Sequence, residues 1–505
     1  MEQWAVISTM ILAYLGLTLW VGLRAGRGTS STVDGFVAGD RNFGFLVMYF
    51  VTGATAFSAF AFLGGPGWAY SRGAAAFYIL SYGVLGMAPW YVIGPKVARI
   101  GRQLGQVTQA QFLTGRFRSR GLSLLIALVS IAALIPYITL QMRGAGIVIE
   151  AVTDGQVPLW LGSAVAYGIV LIYVLVSGVT AVGWTNTLQG VFMIVIAWSL
   201  GLYLPFALYG GIGPMFEAIM SQRPELLELP GLTAAGAPWS WAGYTSAILV
   251  SAIGLTMWPH LFMKAFTARD ERIIRRTVVW FPTFHLFLVP VFLIGFAGVL
   301  FVESLEQPDF ILPHLILNVD LPVIVVGLFC AGALSASMST GDALMHATAS
   351  VAVEDGVRPF AHLSEYQQRL LIRVSIVVAG AVAYFFAISE GMSLVVLLLT
   401  SYGIIAQLAP PVLAALFWRR ATTPGVVAGL LVGGATTLLF FFLPELKPIA
   451  LHEGLFGLLV HVPVLIVVSL MTPAQDASVI ESYINPPKHG AEVAGREATD
   501  WGNRT

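Results

Sequence analysis

Charge is scarce in this chain. Asp, Glu, Lys and Arg make up only 10 % of its 505 residues, against roughly a quarter in soluble domains. Acidic and basic residues balance at 26 each, so no net field points to a charged partner, and no nucleic-acid partner is expected. Cysteine occurs once, at Cys330. That excludes an intrachain disulfide and any metal site built from several thiolates. No long soluble segment is present; the longest polar stretch is the tail after Thr472. Metal-ligand clusters, nucleophile motifs and phosphate loops are also missing. The GGPG run at 64–67 is not a nucleotide loop, so neither an enzyme activity nor a cofactor is expected. What is abundant is apolar surface, with 57 % hydrophobic residues.

Apolar runs long enough to cross a bilayer, about 20 residues each, recur along the whole chain. Thirteen spans are expected, near 4–24, 43–72, 75–98, 121–152, 157–177, 179–209, 242–266, 275–303, 321–352, 367–389, 393–418, 424–443 and 451–472. The first has full spanning length, ends in Arg24 and Arg27 and lacks a small-residue cleavage pattern, so it reads as a retained helix. Basic residues alternate sharply between connections. One set holds twenty-two Lys and Arg, in clusters such as Arg116, Arg118 and Arg120 or Lys264, Arg269, Arg272, Arg275 and Arg276. The opposite set holds only Arg72, Arg223 and Lys447. Cytoplasmic connections carry the excess. The expectation is a multi-pass protein of the plasma (inner) membrane, in contact with the lipid bilayer, with its N-terminus outside and C-terminus inside.

Spans 2–6 and 7–11 are two blocks of five. An odd-numbered block followed by an equal one is inverted relative to it, a common plan of secondary transporters. The fold class expected is thus an all-α polytopic membrane protein with 13 transmembrane helices. Its core is a five-plus-five inverted repeat, with one extra N-terminal helix and two extra C-terminal helices. The corresponding segments are 1–42 (first helix and lead-in), 43–209 (first repeat), 210–241 (extracellular loop), 242–418 (second repeat), 419–472 (two helices) and 473–505 (tail).

Residues 330–355, CAGALSASMSTGDALMHATASVAVED, put Ser335, Ser337, Ser339, Thr340 and Asp342 into an otherwise apolar span. Polar groups inside a membrane helix mark ion or substrate pathways, although Ser and Thr also bond their own helix carbonyls. At 100° per residue Ala336, Ser339 and Thr340 share a face that suits a small hard cation. Span 2 carries Gly53 and Thr55 near its middle and GGPG near its end. Unwinding over 53–58 would free the carbonyls of Ala54 and Phe57 beside the hydroxyl of Ser58; close helix packing through small residues is the other reading.

Five motifs in order carry a family resemblance: DGFVAGDRNFG, TGATAFSAFAFLGGPGWAY, VGWTNTLQG, WPHLFMKAFTARDE, and SASMSTGDALM with the downstream VED. Together they resemble the sodium/solute symporter family, over nearly the whole chain. The resemblance implies a sodium site on the backbone of Ala54, Phe57 and Ala336 with the hydroxyls of Ser339 and Thr340. It also implies departures. Ala56 and Asn186 stand where relatives carry acids, so Asp342 becomes the acid available to compensate the cation. ATAFSAFAFLGGPGWAY followed by AAAFYILSYG is most similar to the monocarboxylate permease branch. This implies a short monocarboxylate such as lactate, pyruvate, acetate or propionate. Trp258 stands where sugar symporters place an amide.

Arg143, in span 4, has two readings: a fork for a substrate carboxylate, or a side chain snorkelling to the interface. Asp342 and His346, at i and i+4, face each other as a proton relay or as a buried bonded pair. The expected coupling residues are therefore Asp342, His346 and Asn186. The expected substrate residues are Arg143, Ser58, Gln141, Trp258 and Tyr402. Sodium is the expected coupling ion. A proton carried on Asp342, and a membrane sensor on a transporter scaffold, are the alternatives.

Overall fold

A computed structural model describes residues 3–28, 32–389 and 394–486. Among these residues every regular element is helical; two isolated bridges are the nearest approach to a strand. Eight helices are long and apolar enough to cross a membrane, and ten if each of two bent pairs counts as one span. Their outer faces expose Leu128, Val176, Phe206, Phe385 and Phe442, the residues a lipid-facing surface requires. Lys488, Arg496 and Arg504, counted above with the basic connections, lie outside the described residues.

Helix Val323–Val351 is the centre of the molecule. Each of its residues 329–351 is buried. Ala, Gly and Ser at most of these positions let neighbouring backbones approach closely. It packs on Gln3–Ala25, Phe45–Ala56, Arg120–Val152, Leu159–Tyr209 and Glu365–Ile388. The hydrophilic part of this helix is thus enclosed by five others and never faces lipid.

Leu159–Tyr209 is 51 residues long, with a break at Gly178, where φ is 56° and ψ −144°. A side chain there would strike the Phe36 carbonyl, and the positive φ favours glycine. The break falls between the runs expected at 157–177 and 179–209. At Gly53 the structure shows close packing, the second of the two readings. The helix Phe45–Ala56 stays regular through Gly53 and ends only at Phe57 and Ser58. A Cβ on Gly53 would lie 2.5 Å from the Phe284 ring, so this glycine serves close packing, and the break comes a turn later.

Two breaks frame the core. Phe45–Ala56 bends by 58° from the helical run Phe60–Met87, and Trp241–Leu255 bends by 47° from Pro259–Thr267. Pro259 removes a donor where the second helix restarts. The segment before the first broken helix and the one after the second are tied together: Phe43 N–H donates to the Thr267 carbonyl, and Arg269 N–H to the Phe43 carbonyl, both at 3.0 Å. Near the end of the described chain, Thr423–Phe442 and Glu453–Met471 pack along each other. The short helix Ala477–Ile484 sends the Tyr483 hydroxyl to the Phe112 carbonyl at 2.8 Å.

Candidate functional site

The C-terminal carbonyls of any helix lack intrahelical donors. Ending Phe45–Ala56 at Phe57 leaves those of Ala54 and Thr55 in this position, at the centre of the protein. Helix Val323–Val351 supplies what they lack. Ser339 Oγ donates to the Ala54 carbonyl at 2.9 Å and also approaches the Ala336 carbonyl at 3.3 Å. Thr340 Oγ1 donates to the Thr55 carbonyl at 3.2 Å, with the Ala54 carbonyl at 3.5 Å. Ala54, Ala336, Ser339 and Thr340 are brought together, all fully buried. Phe57 closes the helix end, and its ring stacks on Phe281 and Phe284 at 5.7 and 5.9 Å.

Hydroxyls on the same helix divide into two groups. Thr348 and Ser350 bond the carbonyl four residues back, the self-satisfying pattern. Ser337, Ser339 and Thr340 reach other helices, Ser337 through the Gln141 carbonyl at 2.6 Å. Asn186 Nδ2 ties three elements by donating to Thr55 Oγ1 at 2.9 Å and to the Ser339 carbonyl at 2.8 Å, while its Oδ1 is buried without a partner. A cluster of hydroxyl and carbonyl oxygens at the partially negative end of a half-helix is suited to a cation.

Asp342 lies one turn beyond Ser339. Its Oδ2 accepts from Tyr173 Oη at 2.9 Å and from Thr185 Oγ1 at 3.1 Å; its Oδ1 is buried with no hydrogen bond. The expected contact with His346 is not made. The His346 ring instead bonds the Phe36 carbonyl through Nε2 at 3.0 Å. A spacing of four residues permits contact, but the lead-in segment offers His346 a backbone acceptor that Asp342, already holding two hydroxyls, does not displace. The charge facing Asp342 is Lys264, which the sequence count placed in a connection. Lys264 is only 5 % exposed, near the end of the second broken helix.

The residues expected to hold substrate divide. Ser58, Gln141, Trp258 and Tyr402 are all buried at the two breaks. Gln141 Oε1 accepts from the Ala59 N–H at 2.9 Å, and Ser58 Oγ from the Phe60 N–H at 3.1 Å. The Trp258 ring packs on Tyr137 at 4.9 Å and Tyr402 at 5.4 Å. Gln141 Nε2 and Trp258 Nε1 are buried donors without an acceptor. Arg143 stands apart, half-buried, with Nη1 at 3.4 Å from the Ser389 carbonyl. No group of three or more His, Cys, Asp or Glu side chains able to hold a metal ion occurs among the described residues.

Residues 36–433 match the sodium:solute symporter family. The symporter YhjB of Bacillus subtilis strain 168 is 30 % identical over 413 residues, which are 81 % of this chain and 83 % of that one. The sodium/pantothenate symporter of Escherichia coli K12 is 26 % identical over 81 % and 85 % of the two chains. A monocarboxylate transport permease protein of Rhizobium johnstonii is 25 % identical over 57 % of each. Among solved structures, a Na+-coupled sialic acid symporter in a substrate-bound outward-open state matches with a TM-score of 0.78 at 18 % identity, over 93 % of this chain and 98 % of that one. The last likeness establishes the fold. The chain is a multi-pass membrane transporter rather than an enzyme, and it belongs to the sodium:solute symporter family.

Proposed function

We propose that this symporter takes up a short monocarboxylate, driven by sodium held on the carbonyls of Ala54, Phe57 and Ala336 and the hydroxyls of Ser339 and Thr340. The observation that carries the substrate class is the pair of buried donors at the helix breaks, Gln141 Nε2 and Trp258 Nε1, with no acceptor among the described residues. A buried donor without a partner costs about 1–3 kcal/mol. A carboxylate, which only accepts, is a ligand suited to such donors. The monocarboxylate permease among the relatives is consistent with that class; others are a pantothenate and a proline transporter.

The architecture we infer has thirteen spans in a five-plus-five inverted repeat. Support comes from the breaks. The bent run ending at Met87 covers one expected span and enters a second that continues in Trp90–Leu104, the helix interrupted at Gly178 covers two more, and Ser401–Phe417 is a shorter apolar helix. The two 58° and 47° bends open corresponding helices of the two blocks. The charge asymmetry supports an N-terminus outside and a C-terminus in the cytoplasm of the inner membrane.

A second reading couples transport to protons on Asp342, favoured by its buried, unpartnered Oδ1. Counterflow and uptake of labelled lactate, pyruvate and acetate in proteoliposomes, under separate sodium and proton gradients, test both. Accumulation on a sodium gradient at every pH supports the sodium carrier. Accumulation on a proton gradient without sodium replaces it with the proton carrier. No uptake of any monocarboxylate removes the substrate class.

A further inference from the structure

Two pairs of arginines flank the break at Gly178, none of them in an ion pair among the described residues. Arg24 and Arg27 close the first helix, and Arg369 and Arg373 lie on Glu365–Ile388. None of the four is within 4.0 Å of a carboxylate among the described residues. Two nearby acids hold other arginines, Asp34 with Arg41 and Glu354 with Arg358, each at 2.8 Å; Glu365 accepts from the Val33 N–H at 3.2 Å and lies two turns from Arg373. Packing brings the edge together. Gly26 lies directly on Ser177, and the Phe36 carbonyl on Gly178. Arg373 is exposed, with its guanidinium 5.8 Å from the centre of the Phe36 ring.

Below Arg373 runs an open groove of about 420 Å³, lined by Leu175, Val176, Val374, Val377 and Arg373 itself. Val374 and Val377 lie deeper along their helix than Arg373, and Leu175 and Val176 deeper than the break at Gly178. The groove is therefore aliphatic toward the membrane centre and cationic at its mouth. A ligand complementary to both ends has an anionic head and a hydrocarbon chain.

We propose that this groove binds one anionic phospholipid, its phosphate at Arg373 and the upper methylenes of one acyl chain along Leu175, Val176, Val374 and Val377. Basic pockets between membrane helices on the cytoplasmic side take such headgroups, and the orientation inferred above puts this edge there. The site reaches the transport core by a short route. Arg373 stands over Phe36, and the Phe36 carbonyl holds His346. A headgroup at Arg373 therefore clamps the lead-in segment of the first broken helix against the helix that carries Ser339 and Thr340.

Native mass spectrometry of the full chain tests this, with phosphatidylglycerol, phosphatidylcholine of the same chains, and glycerol phosphate as the headgroup alone. Phosphatidylglycerol is expected to be retained in preference to phosphatidylcholine. Arg373→Gln should weaken that retention about fivefold, the effect of one arginine near a lipid surface. Val374→Trp, which fills the groove and keeps the charge, should weaken it as well; Arg373→Lys should preserve it. Thermal-unfolding midpoints in detergent check that each variant is folded. Equal retention of the two lipids, or equal retention of phosphatidylglycerol by wild type, Arg373→Gln and Val374→Trp, overturns the proposal. Displacement of the lipid by glycerol phosphate overturns the acyl part. The assay uses neither a gradient nor a transport substrate, so its failure leaves the symport reading standing.

Discussion

Neutralising Asp342 alone should do more damage than neutralising Asp342 and Lys264 together. Asparagine at 342 can still accept from Tyr173 and Thr185 through its carbonyl oxygen, so the variant loses charge rather than shape. Lys264 then becomes a buried cation that faces His260 and His346 and, among the described residues, no acid. The charged atoms of Lys264 and Asp342 are more than 4.0 Å apart. At an effective dielectric constant of about 20, their attraction is then below about 4 kcal/mol, and about 2 kcal/mol at twice that separation. Breaking a buried pair from one side costs about 3–5 kcal/mol, whereas removing both charges is often neutral. A coupling of about 2–4 kcal/mol is therefore expected in the cycle of Asp342→Asn, Lys264→Met and the double variant. The assay is thermal unfolding of the purified protein at one scan rate, read beside substrate exchange and sodium-driven accumulation. The single variants should melt lower than wild type. The double variant should recover most of the loss and exchange substrate, yet fail to accumulate it. Additive losses, within about 0.5 kcal/mol, would refute the reasoning, and so would concentrative uptake by Asp342→Asn alone.

The Ser339→Ala/Thr340→Ala double variant should raise the sodium needed for half-maximal uptake at least tenfold while folding survives; unchanged sodium activation would take both hydroxyls out of the site. Arg143→Gln should raise the half-saturation for a carboxylate up to about fivefold, the scale of an exposed charge pair, and Arg143→Lys should leave it within about twofold. A loss in the Lys variant as large as in the Gln variant would put the guanidinium fork on the substrate. Burial pushes the Asp309 carboxyl, in the turn Pro308–Phe310, up to about 6, against the pull of Arg72 and Arg143. A raised carboxyl stabilises the fold fully below its ordinary value near 4, and that contribution disappears as pH rises through about 6. Wild type should therefore lose melting temperature relative to Asp309→Asn between pH 4 and 7 and run parallel to it above; a constant difference across that range would contradict the assignment.

Composition and periodicity made the helical, membrane-spanning plan legible, because the apolar run length is set by the bilayer rather than by contacts. Gly178 was readable as a boundary for the same local reason. The break in the second broken helix was not anticipated, although Pro259 after Trp258 marks it and its position matches the break of the first. Lys264 counts with a basic connection in the sequence although it falls inside the expected span 242–266. The apolar LFMKAF around it was the signal that it is buried. Tyr173 and Thr185 could not be assigned to Asp342 from one sequence, since they lie more than 150 residues away along the chain. The Asp342–His346 pairing failed for a related reason: helical spacing tells which groups can meet, not which acceptor a distant segment will offer instead.

The hydroxyls that cap the end of the first half-helix can do something a carboxylate in their place cannot. A hydroxyl both donates and accepts, and one torsion separates the two roles. If the proposed site holds its cation, Ser339 and Thr340 would turn their lone pairs to it. With the cation gone, their protons return to the carbonyls of Ala54 and Thr55. Departure of the ion would then leave neither of these two carbonyls stranded, each of which would otherwise cost about 1–3 kcal/mol. A symporter must send its unloaded form back across the membrane in every cycle. On the proposed site, that return stroke would start with the two half-helix carbonyls already matched, and the same two side chains would serve both directions of the cycle.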